Sequence, residues 1–214
     1  MQDAVIRNLC RVSSSISTDA KRIVILASGG GSNAECIINH FAEQAWATVT
    51  AVVSDRKAAH VHQRAARLGV PSRFVGRTRR EREGGLLEVL QAYKPDLIVL
   101  AGYLRLVPLD VLRSFAGRVL NIHPALLPKY AGPGMYGEHV HQAVAAAGDA
   151  QSGITIHLAD ARYDEGRVLF QASTPLAKGS TPDEIAQRVL ALEHLHFPLI
   201  IASYLQQLEP NTNC

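Results

Sequence analysis

KRIVILASGGGSNAE, residues 21–35, decides the fold class. A short aliphatic run over 22–27 ends in Ser28-Gly29-Gly30-Gly31-Ser32-Asn33, and a helical pattern follows at once. Ser32 with Glu35 three residues later predicts a capping box, and Ala34, Ile37, Ile38, Phe41, Ala42 and Ala45 then fall on one helix face. Strand, glycine loop and helix in that order are the first half of a βαβ unit. The three glycines let backbone approach a ligand closely, and the free N–H groups of the helix start favour an anion such as phosphate. The same stretch permits a second reading. Gly29-x-Gly31-x-x-Ala34 is a permissive match to a dinucleotide-binding turn, with Asp55 placed where a ribose partner would sit.

Working outward, the alternation of β-branched runs and helix-period stretches continues. Further strands are predicted over 48–54, 96–101 and 118–122, and helices over 57–68 and 82–93, stopped by Gly69-Val70-Pro71 and Lys94-Pro95. Two more strands, 153–159 and 168–172, are separated by too few residues for a crossover helix, so they should pair antiparallel. Thr181-Pro182-Asp183-Glu184 opens a last helix with a Thr cap, Pro in the first turn and Glu at the third position. Pro198 inside its apolar run should kink or restart it. The expected architecture is α/β: a Rossmann-like, mainly parallel twisted sheet flanked by helices on both faces, with antiparallel strands in the C-terminal half. Residues 21–208 form one domain in this reading. Residues 1–20, with a Ser/Thr cluster and no period, are read as a loosely ordered extension, and 209–214 as a tail. Asp3 and Asp19 weigh against a transit peptide.

Composition excludes several classes. At 214 residues the chain can bury roughly 70% of its unfolded surface without disulfides. With 47% hydrophobic and 19% charged residues it is not a disordered chain, and 6% aromatic residues offer few stacking platforms for single-stranded nucleic acid. A net charge of +3 supplies no bulk attraction to nucleic acid or a membrane surface. No uninterrupted apolar run of about 18 residues and no secretory signal are seen. Cys10, Cys36 and Cys214 lack metal or disulfide spacing, which fits a reducing cytoplasm. The histidine pairs 60/62, 139/141 and 194/196 point to different helix faces, so no metal site is expected.

Three places concentrate reactive groups. In Leu120-Asn121-Ile122-His123-Pro124, strand alternation puts Asn121 and His123 on one side at the carboxyl end of a strand, where open α/β sheets bind ligands. An amide donor beside an imidazole can stabilise an oxyanion and move a proton. The stretch 124–138 that follows is rich in Pro and Gly, and a loop of that length in a compact domain is usually functional or disordered. Asp164, in the turn Tyr163-Asp164-Glu165-Gly166, would raise the pKa of His123 if the two were neighbours. Five arginines from Arg73 to Arg82 read as a solvated helix start, with an Arg reaching an anionic substrate tail as the alternative.

These segments, with Leu100-Ala-Gly-Tyr-Leu-Arg105, the longer Asn121-Ile-His-Pro-Ala-Leu-Leu-Pro-Lys-Tyr130 and Ser152-Gly-Ile-Thr-Ile-His157, resemble the folate-dependent formyltransferases. Order and spacing match the phosphoribosylglycinamide formyltransferase group over about residues 21–205. The methionyl-tRNA enzymes and the formyltetrahydrofolate deformylases each carry a further domain for which 214 residues leave no room. The resemblance implies the formyltransferase fold and formyl transfer from 10-formyltetrahydrofolate, as co-substrate, to the amine of phosphoribosylglycinamide in purine biosynthesis, without a metal. It implies that Gly31, Ser32 and Asn33 hold the substrate phosphate and that Glu193 contacts the glycinamide end. Leu104, Arg105, Leu106 and Val107, with Asn121, would line the folate site, and an arginine of the Arg79/Arg80 region, Arg79 first, would reach the folate. His123 would be proton donor and oxyanion stabiliser, and Asp164 would raise its pKa and order a proton-carrying water. Residues 132–137 are longer than in some relatives. Small-molecule substrates, a cytoplasmic location and a monomer or homodimer complete the expectation. The competing readings are an NAD-dependent oxidoreductase built on the glycine loop and a non-catalytic nucleotide-binding module. The first lacks a substrate domain, and the second does not explain Asn121, His123 and Asp164.

Overall fold

The computed structural model describes residues 20–82 and 84–208. Seven strands among them, β1 (Lys21–Leu26), β2 (Ala47–Ser54), β3 (Ser72–Phe74), β4 (Leu97–Leu100), β5 (Val119–His123), β6 (Gln151–Leu158) and β7 (Val168–Pro175), form one sheet in the order β3-β2-β1-β4-β5-β6-β7. The strands from β3 to β5 pair in parallel, and β5–β6 and β6–β7 are antiparallel. Helices α1 (Ser32–Ala42), α2 (Val61–Arg67), α3 (Arg77–Glu81), α4 (Gly85–Ala92), α5 (Leu109–Ser114), α6 (Glu138–Ala147) and α7 (Pro182–Gln207) flank it.

β1 shows why both faces are covered. Ile23 and Ile25 enter one core, with Ile37 and Phe41 of α1 and Phe197 and Ile201 of α7. Val24 and Leu26 enter the other, with Leu86 and Leu90 of α4 and Val111 of α5. All four β1 residues are inaccessible to solvent, as a central parallel strand requires. α7 is long and apolar enough on average to cross a membrane, although no uninterrupted apolar run was seen in the sequence. Ile185, Val189, Phe197, Ile201 and Leu205 commit one side of it to the first core.

Several expectations are corrected. The Ser32–Glu35 capping box does not form: Gly31 takes the N-cap position in a left-handed conformation, and the Glu35 carboxylate is held by Arg64 and Arg67. The helix expected over 82–93 is α4 and starts only at Gly85; a separate short helix that was not expected, α3, comes before it, and an extended Arg82 and a left-handed Gly84 divide the two. Gly85 opens α4 because a Cβ there would lie 1.7 Å from the Arg79 carbonyl oxygen. Edge strand β3 has three exposed residues and so no alternation to betray it. α5 and α6 also went unpredicted.

The Thr181 capping box does form, with the Thr181 hydroxyl accepting from Glu184 N–H at 3.3 Å and Glu184 accepting from Thr181 N–H at 2.9 Å. α7 runs through Pro198 without restarting. Proline has no N–H for the carbonyl four residues back, and the Cys36 thiol donates to that oxygen, on His194, at 3.4 Å. The extension read over residues 1–20 lies, apart from Ala20, outside the described residues, as does the 209–214 tail.

Candidate active site

A cleft of about 460 Å³ opens at the carboxyl ends of β4 and β5 and is bounded by the 132–138 segment and the N-terminal half of α7. Asn121 and His123 both line it, as alternation along β5 requires. β6 lies antiparallel to β5 and sets His157 opposite Asn121 in register. His157 Nδ1 lies 2.9 Å from the Leu158 carbonyl oxygen, which can only accept, so this nitrogen carries the proton. In the tautomer protonated at Nδ1, His157 Nε2 accepts from Asn121 Nδ2 at 3.0 Å. The contact fixes which way the Asn121 amide faces.

His123 Nε2 donates to the Tyr130 carbonyl at 2.8 Å, and its Nδ1 stands 3.4 Å from Asp164 Oδ1. Spacing alone could not show that these two residues are neighbours. The expected direction of the pKa shift is nevertheless corrected. Burial of His123 pulls its pKa below the ordinary histidine value, and the Asp164 charge and the Tyr130 carbonyl offset this only in part. Nearby His157 adds slightly to the lowering.

Asp164 sits in a left-handed conformation (φ 59°) with its side chain only 8% exposed. Its Oδ2 accepts from Gly132 N–H at 3.1 Å, and its Oδ1 is 3.6 Å from His157 Nε2. Burial pushes its pKa up, but His157, His123 and the Gly132 amide together outweigh that, and the net shift is downward. Asp164 is therefore an anion at neutral pH.

In the same cleft, Asn33 in the first turn of α1 donates to Glu193 Oε2 at 2.7 Å. Asn33 Oδ1 is buried without a partner. Burial raises the pKa of Glu193, with Asn33 partly opposing. Leu104, Arg105, Leu106 and Val107 also line the cleft, and Leu104 N–H donates to the Ser28 hydroxyl at 2.9 Å. Arg105 Nε donates to Asp55 at 3.1 Å, and the Asp55 side chain is 1% exposed. The acid that a dinucleotide reading requires for ribose is thus already paired and covered.

Gly31 and Ser32 are not on the cleft wall, although Asn33 beside them is. Arg79 is not brought to the site either: it donates to the Gly85 carbonyl at 3.4 Å and pairs with Glu88 at 3.6 Å. Sequence reasoning missed three residues of the cleft lining. His157 is found only from the strand register. His141, on α6, lines the cleft 7% exposed, with Nδ1 buried and unpartnered. Tyr103 has its pKa pushed up to about 12, chiefly by burial. Among the described residues, no cluster of three or more His, Cys, Asp or Glu is placed to hold a metal ion.

Comparison with known proteins agrees with this geometry. Residues 21–201 match the formyl transferase family. The phosphoribosylglycinamide formyltransferase of Escherichia coli is 37% identical over 187 residues, covering 84% of this chain and 85% of that one. The chloroplastic phosphoribosylglycinamide formyltransferase of Arabidopsis thaliana is 36% identical over 193 residues, covering 87% of this chain. The chain spans 66% of the length of that relative. The crystal structure of glycinamide ribonucleotide transformylase 1 from Symbiobacterium toebii superposes with a TM-score of 0.81 at 34% identity, covering 90% of this chain and 92% of that one. With a match over most of its length, and the same mixed sheet as a solved relative, the chain belongs to the formyl transferase family.

Proposed function

We propose that the protein transfers the formyl group of 10-formyltetrahydrofolate directly to the amine of N1-(5-phosphoribosyl)glycinamide. The products are the N-formyl compound and tetrahydrofolate, in purine biosynthesis. The observation that carries this reading is the convergence of Asn121, His123 and Asp164 on one wall of the cleft. Attack by a neutral amine on a formyl carbon builds negative charge on the carbonyl oxygen, and preorganised donors lower that barrier more than a covalent nucleophile would. Asn121, oriented by His157, and His123 in its protonated form are the donors within reach. His123 Nε2 gives up the Tyr130 carbonyl when it turns to the oxyanion. Asp164, ionised beside His123, holds the water that carries the amine proton to the departing folate nitrogen.

The remaining walls divide between the two substrates. Leu104, Leu106 and Val107 form the apolar side that suits a pterin ring, next to Arg105. Asn33 and Glu193 face the glycinamide end, and the backbone of Gly31 and Ser32 meets the phosphate. Arg79 pairs with Glu88, whereas Arg80 acts on Tyr103 of the cleft wall and Arg105 lines the cleft, and these two are the arginines placed for the folate. A single domain over 21–208, a cytoplasmic setting, no nucleic-acid or membrane partner, no metal and a monomer or homodimer belong to the same reading.

The test is to incubate the purified protein with both substrates and follow loss of the formyl group from the folate together with the mass of the formylated product. Turnover that needs both substrates is expected. Absence of product with both present overturns the proposal, and reduction of NAD by the protein with a small hydroxy compound would restore the dehydrogenase reading.

A further inference from the structure

The glycine loop is pinned from behind by the first turn of α2. Val61 N–H donates to the Gly29 carbonyl at 3.2 Å, and Arg64 Nε donates to the Gly30 carbonyl at 2.9 Å. Gly31 presses against the same turn: a Cβ there would lie 2.5 Å from Val61 Cγ2. In a trans peptide the carbonyl and the N–H point in opposite directions. With both carbonyls directed at α2, the amides of the same two peptide groups, on Gly30 and Gly31, are directed away from it. Among the described residues neither amide has an acceptor. Gly29 and Gly30 are exposed, with open space where a side chain would begin. Successive amides aimed to one side beside the start of α1 make an anion-binding concavity.

Arg64 is itself held in place. Its guanidinium reaches the Glu35 carboxylate, which also receives Arg67, so the Glu35 expected to cap α1 instead anchors the arginine that orients the loop before it. A guanidinium serves two acceptors at once through its rigid fork, whereas an ammonium is a point donor on a flexible stem.

We infer that Arg64 is a positioning residue for the phosphate of the substrate, acting through the Gly30 carbonyl to aim the loop amides. The inference rests on the proposed phosphorylated glycinamide substrate. It gives Arg64 no contact with the reacting atoms and predicts an effect on one KM only.

The experiment measures kcat, the KM for 10-formyltetrahydrofolate, and the KM for phosphoribosylglycinamide and its dephosphorylated riboside, in the wild type, Arg64→Ala and Arg64→Lys. The wild type should favour the phosphorylated substrate. Arg64→Ala should raise the KM for that substrate about tenfold, leaving kcat and the other two KM values within about twofold. Arg64→Lys should recover part of the loss. Undiminished preference for the phosphorylated substrate in Arg64→Ala overturns the inference and leaves the proposed reaction standing. So does an equal rise for both glycinamides, or full recovery by lysine, which would make charge and not the fork the cause. A wild type indifferent to the phosphate removes the phosphate reading of the loop, and the inference with it. Should Arg64→Ala fail to fold, Glu35→Gln frees the far end of Arg64. It should raise the same KM about threefold, and unchanged discrimination there is equally fatal.

Discussion

His123 Nδ1 lies 3.4 Å from Asp164 Oδ1 while its Nε2 donates to the Tyr130 carbonyl, so the imidazolium has an acceptor on each side even though burial disfavours it. Of the influences on His123, the Asp164 charge is the largest that raises its pKa. Asp164→Asn should therefore drive an already lowered pKa further down, read by NMR titration of the His123 ring. Proton donation is present below that pKa and fades as pH rises through it, so the alkaline limb of the rate profile should move to lower pH. Turnover should fall by about 10² or more, because the water held by the carboxylate is lost as well. An unmoved His123 pKa would show the pair uncoupled and reduce Asp164 to a structural turn residue.

Asn121→Ala should slow turnover by about 10² to 10³ with little change in either KM, the loss typical of one oxyanion donor. Because Asn121 also donates to His157 Nε2, a change in His157 is the rival cause. His157→Gln checks it, since this keeps an acceptor for Asn121 and should cost much less. An effect of Asn121→Ala confined to KM would make Asn121 a ground-state contact.

The parallel half of the sheet was legible because its strands are buried on both faces and read as aliphatic runs between helix periods, as at Ile23 to Leu26. The Asn121 and His123 side of β5 followed from alternation alone. Two kinds of feature were hidden. The first is contact across the sheet or between helices: Glu35 stands where a capping box would put it, and only the packing of α2 shows that Arg64 and Arg67 take its carboxylate. His157 reaches Asn121 through an antiparallel register that no local pattern encodes. The second is balance of opposing effects. A nearby carboxylate argued for a raised His123 pKa, but the sequence gives no measure of burial, and burial wins. Phe74 in β3, 45% exposed, shows the same limit for an edge strand.

Gly166 closes the turn that carries Asp164, and a Cβ there would lie 1.7 Å from the Leu158 carbonyl oxygen. Backbone cannot yield as a flexible side chain does, so Gly166→Ala should destabilise the fold by about 1–3 kcal/mol, seen as a lowered Tm. Turnover should drop as Asp164 is displaced. Gly29→Ala is the control, because no atom lies within 4 Å of its Cβ position. Its Tm should stay near wild type, and equal losses in the two variants would remove steric crowding as the explanation.

The last prediction concerns acid. Burial lowers the pKa of three histidines, His123, His141 and His194. In the unfolded chain each titrates near about 6.5, so unfolding takes up protons once the pH falls below that value. Their neutral burial is undisturbed above the unfolded pKa and becomes progressively costly as pH falls through it toward the folded values. Asp164, with its pKa lowered, works in the same direction at more acid pH, where its protonation releases His123 and Gly132. Glu193 opposes, because with its raised pKa it takes up a proton more readily in the folded state, so its burial costs less as the pH falls through that raised value toward the ordinary carboxylate range. Three lowered histidines outnumber the one raised carboxyl, so between about pH 7.5 and about pH 5.5 Tm should fall. His141 isolates the effect, since its Nδ1 is buried without a partner. His141→Gln should flatten the decline over this window, and a slope identical to wild type would show that His141 carries none of the acid sensitivity.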